Sequence, residues 1–360
     1  MWRRLPVPPS TPRKLRRARV IAFTALLALS VAALAFAQEQ KVTPKTSPAK
    51  AGPELTFVGE YVGELTDTEG KAVKYGFQVG AHKADEYYAT GYVGGLPGAG
   101  ADPTKPIKCG RGQAKDGAML FPNISGIKTL FPKLEGSAVV RDGVITVFNS
   151  PKGGGTKIGE LQRCVRQSPT LGAKPPANAI VLFDGSTNAF FGRNKKDAQL
   201  TEDKHLPVPA TSKQSFAKDF TLHLEFLHAH GNSPVVVPGM GPHNLEIKHS
   251  FGQLPFTACC GAIYQVRSPD VNACLPPLTW QTYDVDFELA RFDAEGNLQK
   301  RPVMTARLNG VLVHDRFELP ETRPNSQAKG FSPKGGPLQL RDHEGDPLVY
   351  RNIWLVEKNP

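Results

Sequence analysis

The chain has 360 residues, 40% of them hydrophobic, with 35 Gly, 32 Pro and a formal net charge of +11. That length exceeds one ordinary domain and suits two, and the density of Gly and Pro argues against a helical protein. Of its 44 Lys and Arg, seven (Arg3, Arg4, Arg13, Lys14, Arg16, Arg17, Arg19) lie in residues 1–37, which hold no acid; the remainder carries a net of only +4, too mild to argue for a nucleic-acid partner.

In chain order, the N-terminus has three parts. A basic stretch is followed by the apolar run VIAFTALLALSVAALAFA, and Ala35-Phe36-Ala37 offers a small-x-small cleavage site. This predicts a secretory signal peptide over 1–37, with an uncleaved membrane anchor as the alternative. It places the protein outside the cytoplasm, secreted or periplasmic. Residues 38–53 are polar, with Pro and Lys, and read as a flexible tether. Residues 54–167 predict a small β-rich domain of unknown role, from runs such as FVGEYVGEL, KYGFQVGA, YYATGYVGG and GVITVF. Residues 168–178, SPTLGAKPPAN, form a Pro-rich linker.

The main domain is predicted over 179–358. Its candidate strands are AIVLF, FTLHLEFL, NLEIKH, TYDVDFEL, VMTARL, VLVHDRF, PLQLRD and VYRNIWLVE. Asn309-Gly310 favours a type I′ hairpin between two of them. The whole is all-β, a sandwich or jelly roll. Period two then gives each strand a second, polar face. His223 and Glu225 oppose Leu222 and Leu224; Asn244, Glu246 and Lys248 oppose Leu245 and Ile247; Asp284, Asp286 and Glu288 oppose Tyr283 and Val285; Gln339, Arg341 and His343 oppose Leu338 and Leu340. Such groups either keep a wet face soluble or hydrogen-bond sugar hydroxyls and move protons.

Five cysteines (Cys109, Cys164, Cys259, Cys260, Cys274) follow the signal segment. One disulfide scheme joins Cys109 to Cys164 and Cys274 to Cys259 or Cys260, with one thiol left over. No Cys-x-x-Cys spacing supports zinc, and His223, His228 and His230 lack a diagnostic ligand spacing, so no metal site is expected. Asp342-His343 reads as a catalytic dyad or as a turn.

The segments AIVLFDGS, DFTLHLEF, GNS, CGAIY, WQTYDVDFELARFDAEG, ARLNGVLVHD and RDHEGDPLVYRNIWL, in this order, resemble the 3-keto-disaccharide hydrolase domain family over about 179–358. The resemblance implies a concanavalin-like β-sandwich and action on glycosides oxidised to a ketone at sugar carbon 3. By the family's motifs, Glu225 and His343 become candidate acid and base, with Asp342 beside them. Asn232 and Arg351 are candidates to orient the sugar or hold enolate charge, and Asn244, Gln339, Arg341 and Trp280 are further candidates for substrate contact. Trp280 and Trp354 are more readily core residues than sugar platforms.

The chain also departs from the family pattern. Pro234, Val236 and Pro238 stand where it has Gly, Tyr and Gln. Asn244 replaces a Glu, Glu246 a Gln, His249 an Asp and Arg341 a Gln, while Leu227 replaces an Arg. Glu246, two positions from Asn244 on the same face, is the candidate substitute base, about 7 Å away. Three functions follow: a hydrolase or lyase with Glu225, Glu246 and His343 around one ligand, a non-catalytic carbohydrate-binding module, or a structural protein whose groove is filled by HAHGNSPVVVPGMGP. The partner expected is a carbohydrate; a membrane enters only through an uncleaved signal segment. Neither a cofactor nor an oligomeric state is legible in the residues.

Overall fold

The computed structural model describes residues 55–359 except 84, 126–135, 187–189, 194–195, 229–231, 329 and 344–347; the stretches expected as signal peptide (1–37) and tether (38–53) lie outside the described residues. Among the described residues every regular element is a strand, apart from one short 3-10 turn at Pro151–Gly153. No helix there is long and apolar enough to cross a membrane.

The first domain is an antiparallel sheet closed on itself. Its strands run from Gly59–Thr66 to Lys157–Cys164 and pair in chain order. The first pairs the last, and Pro106–Cys109 and Gly112–Lys115 share one position in the ring. Asp-Gly pairs make two of its hairpins. Asp116-Gly117 and Asp142-Gly143 have φ of 51° and 72°, and of 48° and 76°, the left-handed pair that a two-residue turn requires. Tyr61, Leu65, Tyr75, Phe77, Phe121 and Val147 are buried in its core, so the barrel is filled by its own side chains.

The second domain stacks two antiparallel sheets. One orders the strands Ile180–Phe183, Leu348–Glu357, Phe220–His228, Gln281–Glu288, Val303–Leu308 and Val311–Glu318, with Leu206–Pro207 paired off Leu348–Glu357. The other orders Lys196–Asp197, Phe191–Arg193, Ala210–Phe216, Gly336–Leu340 and Val235–Val236. Phe220, Leu222, Leu224 and Phe226 of the first sheet and Phe216, Val235, Leu338 and Leu340 of the second belong to one buried core. The expected Asn309-Gly310 hairpin is present, with φ of 53° and 77°. The predicted strand NLEIKH is not a regular strand. It joins the second sheet through the pairing of Leu245 with Val235 and Ile263 and a separate bridge from Lys248 to Asn232. GNSPVVVP, expected as loop, supplies Val235–Val236 to that sheet, so this stretch builds the fold. Pro238 lies just beyond it, buried.

The two domains dock tightly. Tyr88 and Thr90 of the barrel each donate a hydroxyl hydrogen bond, to the carbonyls of Phe251 and Gly252, both 2.7 Å long. Buried Glu60 accepts two hydrogen bonds from Arg166, at 2.7 and 2.6 Å, and one from Gln78 at 2.9 Å, while Arg166 also donates to the Pro97 carbonyl. Gly310, in the left-handed conformation, lets the linker's Pro169 lie against the turn, where a Cβ would collide with the proline ring.

The disulfide scheme is not observed: all five cysteines are free thiols, and Cys260 lies against Cys274 in the core. Because the barrel and the second domain share this buried junction, calorimetry should show one unfolding transition. Arg166→Met should destabilise that single transition by about 3 kcal/mol, since it leaves Glu60 buried without its cation.

Candidate functional site

The strand Phe220–His228 puts His223 and Glu225 opposite its core residues, as period two requires. Neither side chain meets solvent, because the linker is laid over them. The Gly172 N–H donates to Glu225 Oε1 at 2.6 Å, and Thr170 Oγ1 donates to Asp284 Oδ2 at 2.7 Å. Ser168 and Thr170 both hydrogen-bond Thr282, at 2.6 and 2.9 Å. From the neighbouring strand Leu348–Glu357, Arg351 Nε donates to Glu225 Oε2 at 2.6 Å and Asn352 Nδ2 to Oε1 at 2.9 Å. His223 Nδ1 meets Asp284 Oδ1 at 2.6 Å. Its Nε2 sits 3.7 Å from Glu225, and Trp354 stacks on its ring with centroids 4.9 Å apart.

Burial alone would push the Glu225 carboxyl up, but hydrogen bonds from His223, Asn352, Arg351 and the Gly172 backbone outweigh it and hold it down at about 2. Burial likewise works against charge on His223, and Asp284 and Glu225 outweigh it, so its pKa is raised. Glu225 is thus a carboxylate held in its ionised form near neutral pH, with both oxygens accepting hydrogen bonds. Arg351 is spent on it and on the Trp280 ring, 4.0 Å from the guanidinium carbon. His205 packs edge-on to the other side of this group, its centroid 4.9 Å from that of Trp280. This face is an anchoring surface for the linker.

A second cluster lies on the far side of the core. Tyr283 alternates with Thr282 and Asp284 along its strand, and its hydroxyl donates to the Glu246 carbonyl at 2.5 Å. Glu246 therefore sits on the Tyr283 side of the sheet, and Glu225 on the Asp284 side. The expected grouping of Glu225, Glu246 and His343 around one ligand does not occur, because the strand whose alternation exposes one acid carries the other's support on its opposite face.

The second cluster gathers most of the remaining sequence candidates. The hydrogen-bonded pairing of Val235 with Leu245, 2.9 Å in each direction, sets Pro234 beside Glu246 and Val236 beside Asn244. Arg341 N–H donates to the Pro234 carbonyl at 3.0 Å, which brings Gln339 and Arg341 alongside. Asn232 bridges to Lys248 and to His343. Asp342 and His343 are exposed at the rim. The structure thus unites Glu246, Asn244, Asn232, Gln339, Arg341 and His343, with Asp342 next to them, and separates Glu225, Arg351 and Trp280 from them.

Within this cluster Asn244 Nδ2 donates to Glu246 Oε1, in a short contact. The other oxygen, Oε2, is buried and has no hydrogen-bond partner among the described residues. Glu246 is 2% exposed. Burial pushes its carboxyl up to about 7, against the opposing pull of Asn244, Lys248 and Arg323. Sequence reasoning missed Arg323 and Tyr264. Arg323 donates to Asn244 Oδ1 at 3.3 Å and lies over the Tyr264 ring at 5.4 Å. It sits in the aperiodic stretch PETRPNSQ, where no alternation assigns a face; Tyr264 ends the CGAIY motif and is the one signal that was available. Among the described residues no group of three or more His, Cys, Asp or Glu is placed to hold a metal ion; His230 lies outside them.

Residues 178–356 match the model of the family described as 3-keto-alpha-glucoside-1,2-lyase-like domain. Among solved structures, a "putative glycosyl hydrolase" from Parabacteroides distasonis is 25% identical, covers 51% of this chain and 85% of its own, and superposes with a TM-score of 0.44. A second protein of the same description and organism is 14% identical, with 51% and 94% covered and a TM-score of 0.37. No curated protein matches the chain.

Glu225→Gln should cost about 3 kcal/mol in denaturant unfolding, because Arg351 and His223 would face a neutral amide in a buried site. The Glu225 contribution is present above its ordinary value of 4.5 and is lost as pH falls through about 2. That of His223 is present below 6.5 and is lost as pH rises through its raised folded pKa. Urea titrations of parent and variant at several pH values would check both signs.

Proposed function

We propose that the C-terminal domain, whose residues 178–356 match the 3-keto-alpha-glucoside-1,2-lyase-like domain, cleaves glycosides carrying a ketone at sugar carbon 3, with Glu246 as the general base. The observation that carries this reading is the Glu246 carboxyl: buried, raised to about 7, with one oxygen held by Asn244 and the other free. A base poised near neutral pH with an open lone pair suits abstraction of a carbon-bound proton.

A C3 ketone acidifies the proton on C2. Glu246 Oε2 takes that proton, and the electron pair left behind forms the enolate. The enolate collapses to a C1–C2 double bond as the C1–O bond breaks, and the departing oxygen gains a proton from His343 at the rim. Addition of water across the double bond converts the elimination into net hydrolysis. Lys248, two positions from Glu246 on the same face, supplies positive charge for the enolate. The amides of Asn232 and Gln339 and the carbonyl oxygen of Asn244 offer hydrogen bonds to sugar hydroxyls. This differs from the paired carboxylates of an ordinary glycosidase.

One observation favours a second reading, carbohydrate binding without turnover. Asn244 occupies the place of a family carboxylate, and an amide cannot serve as a base. Export by the signal segment over 1–37, to the periplasm or the medium, is part of the proposal, since it would put the domain where extracellular glycosides occur.

The experiment is incubation of the protein from residue 38 onward with 3-keto-trehalose and a methyl 3-keto-glucoside. Turnover should rise with pH through about 7, and Glu246→Gln should reduce it at least about 100-fold. Because folding raises the Glu246 pKa from 4.5, the parent loses stability as pH rises from there to about 7. Glu246→Gln should therefore be at least as stable as the parent at pH 8, which separates lost chemistry from lost fold. Binding by the parent with no turnover of either compound would establish the second reading.

A further inference from the structure

The face around Glu246 holds more positive charge than the proposed chemistry uses. Lys248, Arg323 and Arg341 all border it, and among the described residues none of the three forms an ion pair with a carboxylate. Arg341 spends its guanidinium on the neutral Gln339 amide oxygen, at 3.1 and 2.9 Å. Arg323 donates to the neutral Asn244 oxygen and lies over the Tyr264 ring, and its buried Nε has no hydrogen-bond partner among the described residues. Asp342, at the rim, makes no ion pair with any of them. The two arginines also act on each other: burial, and then the charge of Arg323, lower the pKa of Arg341.

On the opposite side Arg351 pairs with Glu225, Lys358 with Asp286, and Arg291 with Asp219. On the Glu246 face two guanidinium groups instead have neutral hydrogen-bond partners, Arg341 on Gln339 and Arg323 on Asn244. The one acid among them, Glu246, is buried in an environment that favours its neutral form. Like charges gathered in a partly desolvated place cost stability unless a ligand of opposite sign completes them. An enolate needs one cation, and Lys248 is nearest to Glu246 in the chain. Arg323 and Arg341 remain.

We infer that the sugar bound on this face carries an anionic substituent, a carboxylate or a sulfate ester, which Arg323 and Arg341 hold. Guanidinium forks match both oxyanions by paired N–H donors, and both arginines would exchange a neutral acceptor for a charged one on binding. The inference rests on the proposed sugar site and narrows its substrate class to acidic glycosides.

Calorimetric titration with methyl glucuronide, glucose 6-sulfate and methyl glucoside tests it, with the parent protein and Arg341→Gln. Arg341 is exposed, so its replacement leaves the core intact. At least one anionic sugar should bind about tenfold or more tightly than methyl glucoside at low salt, and the preferred one identifies the substituent. The preference should shrink as salt rises and fall about tenfold in Arg341→Gln. Equal affinity for all three sugars, or a preference unchanged in Arg341→Gln, overturns the anionic substituent while leaving the sugar site standing. No binding of any of the three, together with no turnover of the 3-keto-glycosides, overturns both.

Discussion

The Glu225 carboxylate is the interaction on which the arrangement of the two domains depends. It gathers a backbone N–H of the linker and the side chains of Arg351 and Asn352, with His223 of its own strand alongside. A charge so deep in the protein is tolerated only when every lone pair is engaged, and the linker supplies one of the donors. That requirement makes the linker part of the sheet's surface. Asn352 also donates to the Ala173 carbonyl, and Thr170 ties the same stretch to Asp284, so the chain leaving the barrel is held along its path by several bonds. The barrel, fixed at the other end of this stretch through Arg166 and Glu60, is positioned by the same set of contacts.

Glu225 and Glu246 show how environment alone divides identical side chains. Both are buried in strand-like segments of the same domain. One is surrounded by donors that hold its pKa down at about 2; the other has one amide donor and a bare oxygen, lies beside Pro234, and is pushed up to about 7 by burial. The first is fit for holding a fold together and the second for moving a proton. The two carboxyls thus lie on opposite sides of the sheet in opposite environments, where a single groove was expected to combine them.

Much of the fold was readable from alternation and turn chemistry. Phe220–His228 and Gln281–Glu288 carry nearly strict period-two patterns, Leu348–Glu357 is a long run rich in β-formers, and the Asn309-Gly310 turn can adopt the left-handed pair of a tight hairpin at little cost. NLEIKH alternates equally well but has no ladder on either side long enough to make it a strand. GNSPVVVP hides a strand behind two prolines, because an edge position spares the missing N–H. For the candidate site, alternation separated Asn244, Glu246, Gln339 and Arg341 from the core residues beside them, but Asn244 and Glu246 are buried rather than wet. It could not tell which outward face each strand shared with which, and Arg323 has no periodic neighbours at all.

By itself, then, the sequence determined that the described part of the chain is built from strands, the inward and outward residues of several of them, and the resemblance of its C-terminal half to a known family. These are local properties: period two, turn dihedrals and short motifs in order. Only the tertiary structure decided that Glu225 faces the linker and Glu246 the opposite side. It alone decided that the thiols stay free and that Arg323 and Arg341 border Glu246 with no ion pair to a carboxylate among the described residues. Such facts depend on which strands become neighbours and on how much water each carboxyl loses, and both are set by contacts between residues far apart in the chain.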